Sequence, residues 1–229
     1  MCVKVFLLGL PGSGKTAAAH YISMIARDRG YTVKDFNDYN ILREKFENAT
    51  DRKQFSPAEN GSFHVLDYTV LDTSLQEIEQ QILQKTLSDK EMVIIEFARN
   101  NYLHALQKFS ALFLRNSYFL FIDAEDTTCR ERVYTRYTHY LSSDDHFVSD
   151  ETFDKHYDRG RDYHILPDIN RICDSNEIRY DLDVRKIAII NNSQSTSIDE
   201  FYSKTEQIAL LMIEQKDIVL QEDEVFLCN

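Results

Sequence analysis

The stretch Gly9-Leu10-Pro11-Gly12-Ser13-Gly14-Lys15-Thr16 decides how the rest of this chain is read. Ahead of it, Val3-Lys4-Val5-Phe6-Leu7-Leu8 is a short apolar run rich in β-formers; behind it, the residues from Thr16 to Arg27 are strongly helical. The octapeptide therefore stands at a strand-to-helix turn. Glycine is scarce elsewhere: of 6 glycines in 229 residues, Gly9, Gly12 and Gly14 fall inside this one loop.

The octapeptide matches G-x-x-x-x-G-K-[ST], the phosphate-binding P-loop, in the structural context that the motif needs. Glycines let the backbone curl around a polyphosphate, so that N–H groups and the positive end of the following helix face it. The expected ligands are ATP and Mg²⁺, held by Gly9, Leu10, Pro11, Gly12, Ser13, Gly14, Lys15 and Thr16. Lys15 reaches the β- and γ-phosphates, and the Thr16 hydroxyl holds the metal with water and phosphate oxygens.

A chain of 229 residues is long enough for one α/β domain with a complete core. Residues 1–229 read as a single domain, with a substrate-side insertion at 40–72 and a lid or insertion at 137–180. With 26 Lys plus Arg against 38 Asp plus Glu, the net charge of −12 argues against a nucleic-acid partner. Cys2, Cys129, Cys173 and Cys228 form no C-x-x-C pair, so free thiols in a reducing cytoplasm are expected rather than a zinc site or a disulfide framework. No apolar run approaches membrane-spanning length and no signal-peptide pattern opens the chain, so a cytoplasmic protein without a membrane partner is expected. Composition carries no information on the oligomeric state.

Gly30 reads as the stop of the first helix, and Tyr31 to Phe36 as a second strand ending in Asn37-Asp38-Tyr39. In doubly wound sheets ligands gather at the carboxyl ends of strands, which makes Asp38 a candidate catalytic carboxylate. The alternative is an Asn-Asp turn capping the helix that follows. Ser74 and Glu77 fit a capping box for a helix opening at Asp72 to Ser74. Glu91 to Arg99 is a buried strand that ends in two charges, Glu96 and Arg99. Glu96 either orients the metal or acts as a base. Tyr102 to Phe113 reads as one core-facing amphipathic helix. Asn116 to Ala124 is a fourth strand, and on the helix after it Arg132 and Arg136 share a face as charge stabilisers, while Arg130 reads as a solvated, ion-paired residue. In the segment 141–180, Arg159 and Arg161 read as groups that reach a phosphate when a lid closes, and His146, His156 and His164 as surface histidines. Lys186 to Ile190 is a fifth strand ending at Asn191-Asn192-Ser193, and Ser197 caps a final helix.

Five strands alternating with helices, the P-loop on the first and the arginine helix after the fourth resemble the small-molecule and nucleoside or nucleotide kinases of the P-loop class. The resemblance spans roughly residues 3 to 212 and implies a three-layer sandwich around a five-stranded parallel sheet, with ATP-dependent transfer of the γ-phosphate to a small-molecule hydroxyl or phosphate. Glu96 with Arg99 is similar to the Glu-Arg pair that ends the third strand in deoxynucleoside kinases, although Phe97 and Ala98 intervene here. Arg132 and Arg136 resemble lid arginines, and Asn191-Asn192 the loop that borders adenine. Asp38 is similar to the acceptor-activating aspartate of zeta-toxin-type kinases of sugar nucleotides.

A GTPase switch needs D-x-x-G and N-K-x-D, and neither occurs in the chain. An ATPase motor needs oligomer-contact signatures that are not seen. A nucleotide-binding regulator without transfer activity remains an alternative, because a P-loop specifies binding rather than transfer.

Overall fold

The computed structural model describes residues 2–49, 53–58, 63–85, 88–139, 153–157 and 183–218. Strand β1 (Val3–Leu8) leads through the glycine loop into α1 (Lys15–Asp28), and β2 (Thr32–Asn37) runs directly into α2 (Asp38–Asn48). A small antiparallel hairpin, β3 (Phe55–Pro57) and β4 (Phe63–Val65), precedes α3 (Thr69–Leu83). Then come β5 (Glu91–Glu96), the short helices α4 (Tyr102–Leu106) and α5 (Ala111–Leu114), β6 (Tyr118–Asp123) and α6 (Asp126–His139). β7 (Ile187–Asn191) and α7 (Ile198–Ile213) complete the described elements.

The five long strands form a parallel sheet in the order β2-β5-β1-β6-β7, which puts the strand that feeds the glycine loop at its centre. β1 is apolar on both faces because both are covered. Val3, Val5 and Leu7 pack with Ile22 and Ala26 of α1 and with Ile208 and Met212 of α7. Phe6 and Leu8 point the other way, into a cluster with Ile78 and Ile82 of α3 and with Phe109 and Phe113. Phe6 is the hub of that layer, edge-on to Phe109 at 5.1 Å and stacked on Phe119 at 5.1 Å. The architecture is the expected three-layer α/β sandwich around a parallel sheet.

Two local expectations are corrected, and the capping turn ahead of α2 is found. α3 begins at Thr69 rather than at a Ser74–Glu77 capping box: Asp67 accepts from the Thr69 N–H at 3.0 Å, while Ser74 is buried in mid-helix and donates to Leu71 O at 2.8 Å. The amphipathic segment from Tyr102 to Phe113 is two helices, because the buried Glu79 carboxylate accepts the Ser110 N–H at 2.8 Å and Ser110 then caps the second through Phe113 N. The Asn37-Asp38 turn does cap α2, through Asn37, whose side chain accepts from Tyr39 N at 2.9 Å. Elsewhere the reading holds: Gly30 has φ +80° after α1, and Ser197 accepts from Glu200 N at 3.1 Å ahead of α7.

Within 40–72, the hairpin packs Phe55 against Leu42, Val70 and Leu71. Most of 137–180 lies outside the described residues, including His146, Arg159, Arg161 and His164, and so does the side chain of His156. The described piece, Phe153–Tyr157, is one π-helical turn that buries Phe153 against Leu10, Cys129 and Val133. No helix among the described residues is long and apolar enough to cross a membrane.

Candidate active site

The glycine loop is pressed between neighbours that leave no room for side chains. A Cβ at Gly12 would stand 2.3 Å from the backbone oxygen of Cys129 in α6. One at Gly14, where φ is +106°, would stand 2.4 Å from Asn192 Nδ2. Asn192 Nδ2 donates to Ser13 O at 2.7 Å, so the loop after β7 clamps the P-loop from outside. From below, the buried Tyr102 hydroxyl accepts from Gly9 N–H at 3.0 Å and from Arg99 N–H at 3.3 Å. Leu10 is buried against α6 and Ser13 is fully buried, while Pro11, Gly12 and Gly14 open on the adjoining cleft. Because Gly14 offers no side-chain cap, the first N–H groups of α1 and the positive end of its dipole are left for an external anion.

Lys15 is buried and donates from Nζ to Gly9 O at 3.0 Å and Leu10 O at 2.9 Å; burial lowers its pKa. Thr16 Oγ1 donates to Glu96 Oε1 at 2.8 Å. Desolvation raises the Glu96 carboxyl above its ordinary value, with Lys15 pulling the other way. Strand register makes these meetings, since Leu7 of β1 and Asn37 of β2 both pair with Glu96 of β5. The P-loop, Glu96 and the start of α2 thus share one row at the carboxyl edge of the sheet. Among the described residues no cluster of three or more His, Cys, Asp or Glu side chains forms a metal cage. A hydroxyl beside a carboxylate, next to an anion-accepting helix end, is instead a donor set suited to Mg²⁺ that keeps waters and phosphate oxygens.

Asp38 and Arg99 are 6% and 6% exposed and form an ion pair through Arg99 Nη1. Arg99 also donates to Ala98 O at 2.7 Å and to Leu71 O at 2.8 Å, while its buried Nε has no partner among the described residues. The spacing of three residues from Glu96 therefore sends Arg99 across to the start of α2 rather than back to Glu96.

Arg132 and Arg136 both line the cleft from α6, and Nη1 of Arg132 is buried without a partner among the described residues. Arg130 points away and is ion-paired, as expected, with Asp126 at 2.7 Å and Asp154 at 2.7 Å. Glu131 accepts from Gln194 at 2.8 Å, tying α6 to the β7 loop. Asn192 lines the cleft, whereas Asn191 is turned into its own loop, accepting from Ser193 N at 2.8 Å. Sequence reasoning missed Tyr102, Thr128 and Tyr157 at the site. For Tyr102 the available signal was a phenol at a core position, since a buried tyrosine hydroxyl usually has a partner.

The residues enclose a cleft of about 1360 Å³ that runs from the P-loop and α6 to the β3–β4 hairpin. A single drug-sized ligand occupies ~300–1,000 Å³, so this cleft has room for two molecules side by side.

No family model matches the sequence, and no curated protein matches it. Solved structures do. Kti12 of Chaetomium thermophilum in complex with ADP-AlF3 is similar with a TM-score of 0.53 at 15% identity, over 90% of this chain and 96% of that one. Shikimate kinase of Acinetobacter baumannii in complex with shikimate gives 0.46 at 11% identity, over 94% and 96%. The APS kinase CysC of Mycobacterium tuberculosis in complex with AMPPNP and APS gives 0.46 at 14% identity, over 90% and 96%. At these identities the likeness is one of fold alone, and it agrees with the α/β sandwich built around the glycine loop.

Proposed function

We propose that this chain is an ATP-dependent phosphotransferase that moves the γ-phosphate of ATP to a hydroxyl of a small molecule. The observation that carries the reading is a single cleft onto which three features open: an uncapped helix N-terminus with its P-loop lysine, a Thr16–Glu96 pair, and a buried carboxylate, Asp38, held by Arg99. A nucleotide-binding module without transfer would need only the first.

In this reading the P-loop N–H groups and the α1 dipole hold the triphosphate, and Lys15 exchanges its loop carbonyls for the β- and γ-phosphate oxygens. Mg²⁺, when bound, neutralises phosphate charge; Thr16 would hold it, with Glu96 fixing the Thr16 hydroxyl and orienting a metal-bound water. Asp38 receives the proton of the acceptor hydroxyl as that oxygen bonds to the γ-phosphorus. The bond from the γ-phosphorus to the β–γ bridging oxygen breaks, and its electron pair leaves with ADP. Arg99 holds Asp38 in place, while Arg132 and Arg136 meet the charge on the transferring group from the α6 side.

Lys15→Ala tests the assignment. Transfer should fall by about 10²-fold or more, the usual worth of one charge-stabilising contact, with the circular dichroism spectrum unchanged. Wild-type transfer by the variant, measured as ADP formed with product, would overturn the phosphotransferase reading.

A further inference from the structure

Near the start of α6, Thr128 is 2% exposed, and its Oγ1 is buried without a partner among the described residues. A threonine in a helix commonly back-bonds to the carbonyl four residues earlier, which here is Ala124 O. That bond is not made; the neighbouring Cys129 Sγ–H donates to Ala124 O at 3.8 Å. Four residues on, Nη1 of Arg132 is buried and unpartnered in the same way among the described residues. Residues four apart share a helix face, and both side chains line the cleft. Each donor is costly in the free chain, because it has lost water without gaining a partner.

The place of this pair beside the P-loop narrows what can fill it. The loop leans on α6 at Cys129, the residue between them: a Cβ at Gly12 would stand 2.3 Å from Cys129 O, and Leu10 packs against Cys129 and Val133. Burial pushes the Cys129 thiol up to about 11, while Lys15 and Arg132 pull it down, so both cations lie close to that residue. The pair therefore stands at the lysine end of the loop, across from the uncapped start of α1. A guanidinium only donates, and a threonine hydroxyl is able to donate. One group that satisfies both must offer acceptor oxygens, and an anionic group makes the stronger bonds.

We propose that Thr128 is a ligand of the nucleotide's polyphosphate. Its hydroxyl and Arg132 Nη1 donate to one phosphate group from the α6 side, while Lys15 and the P-loop N–H groups hold the chain of phosphates from the α1 side. This inference rests on the phosphotransferase reading and adds to it a binding residue that lies outside the glycine loop.

The test is Thr128→Val, which removes the hydroxyl and nearly keeps the volume, with Thr128→Ser as the variant that restores it. Calorimetry on the full chain with Mg²⁺ measures the affinity for ATP and for inorganic tripolyphosphate, and thermal unfolding is followed with and without ATP. Thr128→Val should weaken ATP and tripolyphosphate alike by about tenfold or more, the worth of a hydrogen bond to a charged group. Thr128→Ser should recover most of the affinity. Without nucleotide, Thr128→Val should melt at or above the wild-type midpoint, since it removes an unsatisfied buried hydroxyl, and its rise on adding ATP should be smaller. Combined with Arg132→Ala, it should weaken ATP by less than the product of the two single effects, because both donors serve one group. Wild-type ATP affinity in Thr128→Val overturns the inference and leaves the hydroxyl to water. A lower midpoint without nucleotide, with the full rise on adding ATP, overturns it too and makes Thr128 a packing residue. A loss for ATP that tripolyphosphate does not share would move the contact to the nucleoside and overturn it as well. Failure of the wild-type chain to bind ATP would instead remove the phosphotransferase reading itself.

Discussion

Asp38→Asn should separate the two jobs proposed for one carboxylate, partner of a buried arginine and general base. In the folded chain Arg99 is 6% exposed and keeps bonds to Ala98 O at 2.7 Å and Leu71 O at 2.8 Å, but its counter-ion is Asp38. Removing one partner of a buried ion pair costs about 3–5 kcal/mol, because the other charge is left desolvated and unpaired. For a chain of this length ~1 kcal/mol moves the melting midpoint by about 2–4 °C, so Asp38→Asn should melt roughly 6–20 °C lower. Arg99→Met should cost a similar amount. The double variant, with neither charge, should lose less than the sum by on the order of 1–3 kcal/mol. Transfer follows a different rule: loss of a general base costs about 10²–10⁴-fold, and the double variant should remain as slow as Asp38→Asn despite its recovered stability. Thermal unfolding followed by circular dichroism, together with ADP release measured well below every midpoint, provides both readouts. A double variant that regains turnover along with stability would refute the base assignment and leave Asp38 as a structural anchor. An Asp38→Asn variant that melts like the wild type would refute the buried pair.

Three further outcomes follow from the same geometry. Burial holds the Glu96 carboxyl above its ordinary 4.5, so turnover should fall as the pH drops through that raised value, and Glu96→Gln should flatten this acid limb while raising the Mg²⁺ concentration needed for half-maximal rate. On stability the sign is opposite: the folded state disfavours the ionised form, so Glu96→Gln should be more stable than the wild type at neutral pH, with the advantage vanishing below 4.5. Arg132→Ala and Arg136→Ala should each lower kcat more than they weaken ATP binding; losses of thermal stability alone would reassign them as structural. Gly12→Ala should destabilise the chain and abolish nucleotide binding, because its Cβ would stand 2.3 Å from a backbone oxygen of α6 rather than from a movable side chain; binding of ATP at wild-type affinity would contradict the packed loop.

The features that could be read from sequence are those set by consecutive residues. The P-loop, the alternation of Val3, Val5 and Leu7 against Phe6 and Leu8, and the strand ending at Glu96 each lie within one short window, where period and composition decide the structure. The Asp38–Arg99 pair joins residues 61 apart in sequence, and its existence depends on β2 and β5 being in register at Asn37 and Glu96. No local pattern carries that information. Ser74 failed as a cap for a related reason: the S-x-x-E pattern is present, but the turn before it already holds Val70 and Leu71 in the core, and burial extended the helix upstream. Tyr102 read as a core aromatic, and it is one, 1% exposed. Its hydroxyl became part of the site only when the fold brought Gly9 and Arg99 to it.

In the proposed mechanism that hydroxyl also bears on how an anionic base would stand beside an anionic triphosphate. Carboxylates near the P-loop would repel the nucleotide unless each were held by a partner on another element, and each is: Glu96 accepts from the Thr16 hydroxyl beside Lys15, and Asp38 pairs with Arg99. The two centres must nevertheless hold a fixed separation, since a misplacement of about 1 Å in an acceptor's approach can cost on the order of 10²-fold in rate. Tyr102 fixes it. One buried phenol accepts from the Gly9 N–H, where the phosphate loop starts, and from the Arg99 N–H, where the base-holding arginine starts. Burial raises the phenol's pKa, which keeps its proton in place, so the joint stays neutral and adds no charge of its own between the two substrates. The donor loop and the acceptor base are thereby set from a single rigid point in the aromatic layer beneath the sheet edge, where Tyr102 packs against Phe97 and Phe121.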